Sequence, residues 1–240
     1  MAHSDGPRTL VLEWPRGTAP TPAGSWACLR AARHEDAATL AAYHRQEAAH
    51  LQPWDVAWNP QRGEDAWQAA ALTGLKPSTW WGCIWVHCPA VPVPQLGGLI
   101  TLERLSGRSV QAHPPDPPLG SLHPGGHDSQ HPMQAAAPAV LLLSYSLARA
   151  WEGQGLMSAA LQALRCAAQP GPEGPVQWWA HVREDNRRSA ALLLRLGMQD
   201  TGPDPEFPAV PTAAGWRRHH RWTGAGAAPG ALASGTALQP

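Results

Sequence analysis

The chain has 240 residues, enough for one good core or at most two small ones. Eighteen Lys and Arg balance eighteen Asp and Glu, so the formal net charge is zero and the electrostatic footprint of a nucleic-acid-binding protein is missing. The longest apolar run, around Val140 to Leu143, falls far short of the ~20 residues that span a bilayer, and Pro15 and Pro20 interrupt any leader-like stretch. These features predict a soluble, cytoplasmic protein without a membrane partner. Lys76 is the only lysine, and with the excess of Ala, Pro, Gly and Trp this reads as GC-rich coding rather than as a functional signal.

In chain order, residues 1–26 form an N-terminal extension, with a short apolar stretch at Leu10 to Leu12 and then a Pro/Gly/Thr linker. Residues 27–32 read as a strand. Residues 36–51 read as a helix, with Glu35 and Asp36 at its positive end and Leu40, Tyr43, Ala48 and Leu51 on one face. A loop through Pro53, Trp54 and Asp55 closes it, and residues 63–75 form a second helix. Residues 80–87 and 96–105 read as two antiparallel strands joined by a Pro-rich turn. Cys83 and Cys88 lie on this hairpin without the paired spacing of a metal site, so all four cysteines read as small apolar side chains in a reducing compartment.

Residues 106–138 are packed with Pro, Gly, His and Ser without periodicity, and are expected to be a disordered insertion. Its histidines (His113, His123, His127 and His131) have no pre-formed geometry for a metal, and no metal is expected. Beyond it, residues 139–147 have the length and apolarity of a central strand. Residues 155–168 form a helix with Met157, Ala160, Leu161, Leu164 and Ala168 on its buried stripe. Residues 176–182 are a strand, 186–196 a helix ended by Gly197, and 216–222 a last strand, with a disordered tail over 223–240. Strands followed by strand–helix–strand–helix imply an α/β (α+β) mixed sheet with helices on both faces.

Two segments carry the chemistry. Trp151-Glu152-Gly153-Gln154-Gly155-Leu156 leads from a strand into a helix, and a Gly-x-Gly turn there builds a nest of backbone N–H groups at a helix N-terminus, suited to a pyrophosphate. Asn186-Arg-Arg-Ser189 opens the next helix, which runs into Leu196-Gly197-Met198. Asn186 also has the residue type of a plain N-cap.

With Leu29-Arg30-Ala-Ala-Arg33, with His50-Leu-Gln-Pro53-Trp54-Asp and with Leu143-Ser-Tyr145-Ser-Leu, these segments resemble the GNAT superfamily of acetyl-CoA-dependent N-acetyltransferases. Within it they look most like the RimJ/RimL group, which acetylates the N-terminal residue of ribosomal proteins. The resemblance spans residues 27–222, taken as the catalytic domain. It implies a mostly antiparallel three-layer fold, a pyrophosphate cradle at Gly153, Gln154, Gly155 and Leu156, Asn186 near the pantetheine and phosphates, and Ser189 beside the leaving thiolate. It also implies backbone N–H groups of a splayed strand from Leu143 through Tyr145 to Ser146 around the thioester, with Trp54 and Tyr145 lining the acceptor and pantetheine sides. The cofactor is then acetyl-CoA as co-substrate, and the protein a monomer or homodimer.

Two departures from the broader superfamily bear on the acceptor. The tyrosine used elsewhere as general acid is replaced by Leu193, and nothing between Ala136 and Leu147 is acidic, so the usual glutamate base is missing. An α-amine with a pKa of about 7.7–8.0 is neutral far more often at cytosolic pH than a lysine at about 10.4, a difference of roughly 3–4 kcal/mol that a base must otherwise supply. The missing carboxylate therefore favours a protein N-terminus, with Glu206 first and Glu103 second as remaining proton acceptors. Glu152, where the family usually has Gln or Arg, sets a carboxylate beside the expected pyrophosphate. Two other readings stay open: a small-molecule amine such as an aminoglycoside or polyamine, if Asp55, Glu64, Asp65 and Glu103 converge, or a non-catalytic acyl-CoA-binding module.

Overall fold

The computed structural model describes residues 9–12, 24–55, 58–105, 139–167, 176–207 and 209–225. The expected insertion at 106–138 and residues 226–240 of the expected tail lie outside the described residues. One eight-stranded sheet organises the chain, in the order β1-β2-β3-β4-β5-β6-β10-β7. Its strands are β1 (Leu10–Leu12), β2 (Trp26–Ala31), β3 (Thr79–Cys88), β4 (Val91–Leu105), β5 (Ala139–Leu147), β6 (Val176–Arg183), β7 (Gln199–Pro203) and β10 (His219–Ala225). A separate hairpin pairs β8 (Val210–Thr212) with β9 (Gly215–Arg217). Every pair in the large sheet is antiparallel except β5 with β6. A parallel pair needs a long crossover, and α3 (Leu156–Ala167) supplies it.

Alternation along the strands sorts side chains onto two faces. One face carries Leu29, Ile84, Val86, Ile100, Leu102, Leu143, Trp178, Ala180, Val182 and Trp222, packed against Leu156, Leu161 and Leu164 of α3 and Leu192, Leu193 and Leu196 at α4 (Arg187–Arg195). The other carries Cys28, Cys83, Trp85 and Leu99 against Leu40 of α1 (Ala37–Leu51) and Leu72 of α2 (Asp65–Thr73). The three-layer mixed fold is therefore as expected. The start of α1 is fixed by Arg30, which meets Asp36 through two hydrogen bonds of 2.7 and 2.8 Å, while the Arg33 N–H donates to the same carboxylate at 2.8 Å. Burial acts to raise the Asp36 carboxyl, but Arg30 and Arg33 outweigh it and hold the group below the usual carboxylate range.

The structure corrects several expected boundaries. Leu10–Leu12 is an edge strand of the main sheet, antiparallel to β2. The single last strand expected over 216–222 is two: Gly215–Arg217 turns back on Val210–Thr212, and after Arg218 the chain enters β10, which runs on to Ala225. β7 was not anticipated, because Gln199–Pro203 has almost no apolar alternation and is mostly exposed. The buried side of α1 is Ala37, Leu40, Ala41, Tyr43 and His44, with Ala48 and Leu51 only half-buried. Its packing stripe thus lies nearer the N-terminal half, where α2 and the sheet meet it.

Candidate active site

The parallel pairing of β5 and β6 runs from Ala139↔Val176 to Leu143↔Ala180 and stops, although both strands continue. Ser144 to Leu147 stay paired to β4, and His181 to Arg183 stay paired to β10. The sheet therefore opens as a V with Leu143 and Ala180 at its apex. Along the β5 rim of this V, beyond Leu143 through Tyr145 and Ser146, backbone groups lack a strand partner across the gap. Such fixed dipoles can meet developing negative charge without reorganising.

Below the rim the chain makes a 3-10 turn at Arg149–Trp151 and then reaches Gly153 and Gly155, with φ of 71° and 78°. That left-handed conformation favours glycine, and a Cβ on Gly153 would meet nothing within 4 Å, so backbone rather than crowding sets the requirement there. Gln154 Nε2 donates to the Ala150 carbonyl at 2.8 Å, which braces the turn. The Ala159 N–H bonds the Gly155 carbonyl at 3.0 Å, so the N–H groups of Leu156 to Ser158 lie ahead of the helical ladder. The helix N-terminus is positively polarised, and such a cradle suits a diphosphate.

Glu152 has partners on two neighbouring helices. Its carboxylate lies 3.2 Å from His50 Nε2 at the end of α1 and forms a close ion pair with Arg188 of α4. The Arg149 N–H bonds Glu47 of α1 at 3.0 Å, so α1, the turn and α4 are tied together.

Asn186 is the N-cap of α4, and its Oδ1 accepts from the Ser189 N–H at 3.1 Å. Both readings of Asn186 therefore remain compatible with its position, since a capping side chain also sets where Ser189 sits. Tyr145 lies on the α3/α4 face, with its hydroxyl enclosed and without an ordinary hydrogen-bond partner among the described residues. Burial pushes the phenol up to about 12, against the opposing influence of the Ser189 hydroxyl and Arg195, so Tyr145 stays protonated. Leu193 is fully buried in the core that faces α3 and α4.

The opposite face of the V looks toward α1. Tyr43 and Ser146 share a hydrogen bond of 3.0 Å. Arg183 stacks over Trp54 at 4.4 Å, donates to the Pro53 carbonyl, and holds Asp185 at 2.6 Å. Trp54 is 42% exposed, so it is available to a ligand rather than locked in a core. Two of the carboxylates that a polycationic acceptor would need are held by arginines. Asp55 is paired with Arg62, Asp65 with Arg45 at 3.3 Å, and Glu103 lies on β4 opposite Leu142. Glu206 sends its side chain into solvent, 72% exposed and 3.9 Å from Arg221. Among the described residues no cluster of His, Cys, Asp and Glu could hold a metal ion.

One group on this face escaped sequence reasoning. His181 Nε2 lies 2.6 Å from Asp204 Oδ2, and Arg221 reaches the same oxygen through Nε and Nη2 at 2.8 Å each. These residues come from β6, the loop after β7, and β10. No local spacing signals such a cluster; only the strand order brings it together.

A V-shaped opening beside a glycine-rich helix start, with a polar face opposite, defines an enzyme class that binds a phosphorylated carrier on one side and an acceptor on the other. The model of the acetyltransferase (GNAT) domain matches residues 27–199, and the chain belongs to that family of acetyl-CoA-dependent transferases. No curated protein matches the sequence. Among solved structures, Mycobacterium smegmatis RimJ in complex with CoA-disulfide is 18% identical with a TM-score of 0.60, covering 91% of this chain and 88% of that one. RimL, a ribosomal L7/L12 alpha-N-protein acetyltransferase in complex with coenzyme A, is 15% identical with a TM-score of 0.54, covering 89% and 96%. The microcin C7 self-immunity acetyltransferase MccE in complex with acetyl-CoA and AMP is 12% identical with a TM-score of 0.57, covering 82% and 91%. At these identities the likeness is one of fold. Among the described residues, no helix is long and apolar enough to cross a membrane.

Proposed function

We propose that this chain transfers the acetyl group of acetyl-CoA to the N-terminal α-amine of a protein, in a ternary complex. The observation that carries the reading is the acceptor face of β5, where Leu142, Ser144 and Ser146 stand in register with β4 and none is a carboxylate. A site without a strong base there suits an amine that is already partly neutral. An α-amine at about 7.7–8.0 needs roughly 3–4 kcal/mol less help than a lysine at about 10.4. Pairing of Asp55 and Asp65 with arginines weakens the polyamine or aminoglycoside alternative. The RimJ and RimL likeness supports a protein acceptor of the ribosomal kind.

In this reading Gly153 to Leu156 hold the pyrophosphate by backbone N–H groups, with Asn186 nearby, and the rim from Leu143 to Ser146 meets the thioester oxygen. When bound, acetyl-CoA supplies an acetyl group activated as a thioester. Ser189 donates a hydrogen bond toward the departing sulfur, and the protonated Tyr145 phenol stands beside it. Trp54 lines the acceptor entrance, with Glu206 and Glu103 as the remaining candidate proton acceptors.

Labelled acetyl-CoA offered to paired peptides tests this. One peptide has a free N-terminus and no lysine; the other has a blocked N-terminus and an internal lysine. Transfer at least tenfold faster to the free N-terminus is expected. Preference for the lysine peptide, or for a polyamine or aminoglycoside over both, overturns the reading. Cofactor binding without transfer to any amine identifies a binding module instead.

A further inference from the structure

We propose that His181, oriented by Asp204 and Arg221, is the general base that takes the proton from the acceptor amine. The inference rests on the transfer reaction proposed above and supplies the group which that reading lacks. His181 is the first β6 residue past the last β5/β6 pair, so it stands at the mouth of the V rather than inside the closed sheet. On β6 it shares a face with Trp179 and Arg183, and Arg183 reaches Pro53 and Trp54. The ring is therefore on the α1/α2 side. The phosphate cradle and Ser189 occupy the other side, so an incoming amine meets the thioester from the side that His181 faces.

The hydrogen bonds fix which ring nitrogen is the base. Asp204 is 5% exposed, and its carboxylate receives Arg221, the His181 ring and the Glu206 N–H at 3.0 Å. An ionised carboxylate only accepts, so the hydrogen in the His181 contact is carried by Nε2. A neutral ring then keeps its lone pair on Nδ1. Phe207 stacks on the ring at 4.6 Å and an interplanar angle of 22°, which holds its plane. Arg221 packs over Trp179 at 4.4 Å, so the anchor beneath Asp204 is itself fixed. The charged and titratable groups around His181 are Asp204 and Glu206 from the loop after β7, Arg221 from β10, His219 behind Phe207, and Arg183 along β6. Asp204 and Arg221 are positioning residues, because they act through the ring.

In the step, the amine nitrogen bonds to the carbonyl carbon and the carbon–sulfur bond breaks. One proton leaves the nitrogen for His181 Nδ1, and one is taken up by the sulfur from solvent by way of the Ser189 side. His181 returns its proton to solvent, so none is gained or lost overall.

The test compares kcat/KM across pH for the full chain and for H181Q, H181A, E206Q and E103Q, with a free-N-terminus peptide as acceptor. The H181Q protein is expected to lose roughly 10²–10⁴-fold in kcat and the acidic limb of the profile. Its thermal stabilisation by acetyl-CoA is expected to match the wild type. Added imidazole is expected to restore part of the H181A rate. An unchanged acidic limb in H181Q, or loss of that limb in E206Q or E103Q instead, overturns the assignment while leaving the transfer reading intact. Absence of transfer by the wild type to any amine overturns the transfer reading and this one with it. Nitrogen NMR of the imidazole gives a readout independent of turnover: Nε2–H is expected, and an Nδ1–H ring overturns the dyad.

Discussion

Asn186 and Ser189 share one turn of α4, and a pair of substitutions separates what each does. Asn186 caps the helix through one hydrogen bond of 3.1 Å to the Ser189 N–H. Removing an N-cap side chain costs about 1 kcal/mol, in a range of roughly 0.5–2. For a domain of this size that corresponds to a fall of about 2–4 °C in Tm. Asn186→Ala should show that fall, and Asn186→Asp, which can still cap, should recover most of it. Ser189 contributes its backbone N–H to the cap, and Ser189→Ala keeps that N–H. The substitution should therefore spare the cap and lose only the contact of the Ser189 hydroxyl with the Tyr145 phenol, a fall in Tm of no more than about 2 °C. Its cost falls on the reaction instead. A hydrogen bond to a charged sulfur is worth roughly 1.5–3 kcal/mol, so kcat should drop by about 10- to 150-fold with KM for acetyl-CoA little changed. Differential scanning calorimetry and steady-state thiol release give both quantities on the same samples. Equal losses of Tm in the two variants, with kcat of Ser189→Ala unchanged, would refute the division of labour and leave Ser189 as an ordinary helix residue.

Three more outcomes follow from the packing around the site. His44 is buried, and that burial, aided by Arg62, pushes its imidazole down to about 4, so the folded protein keeps it neutral while the unfolded chain takes up a proton near 6.5. Stability from this group is therefore complete above pH 6.5 and declines toward pH 4, by about 3 kcal/mol; urea melts of His44→Leu should be flatter over that window, and an unchanged slope would show that His44 is not the group. A Cβ added to Gly98 of β4 would lie 2.6 Å from the Ser146 backbone oxygen, so Gly98→Ala should cost about 1–3 kcal/mol in a thermal melt and slow turnover by shifting the β5 rim. Glu152 is ion-paired with Arg188, so Glu152→Gln should change the Kd for acetyl-CoA by no more than about threefold, the scale of one screened charge a few ångströms away. Tightening beyond tenfold in a calorimetric titration would mean that the carboxylate opposes the cofactor.

The parts of this site that were legible in the sequence are the local ones. A Gly-x-Gly turn before a helix and an Asn-x-x-Ser helix start are written in consecutive residues, and the backbone takes the conformations they require, at Gly153, Gly155 and Asn186. The long strands and helices were legible for the same reason, since Val140, Leu143, Leu161 and Leu164 repeat with the period of their elements. The partner of Glu152 was not legible, because Arg188 and His50 come from two other elements. Gln199–Pro203 was missed because it lies at the sheet edge, where pairing to β10 rather than apolar alternation makes it a strand. Glu206 was sought as a carboxylate near the acceptor, and the structure uses its backbone N–H, which supports Asp204.

The dyad shows why the strand order matters more to this chemistry than any motif does. Asp204 and Arg221 are adjacent to His181 only because β10 inserts between β6 and β7. Burial acts to raise the Asp204 carboxyl, yet hydrogen bonds from Arg221, the Glu206 N–H and His181 outweigh it and hold it below the usual carboxylate range. A carboxylate that stays ionised keeps accepting from Nε2, and in a neutral ring the lone pair is then on Nδ1. The absence of an acid on β5 and the presence of an oriented imidazole on β6 then make one consistent demand. Both ask for an acceptor whose proton is weakly held, and a chain terminus meets that demand where a lysine side chain does not.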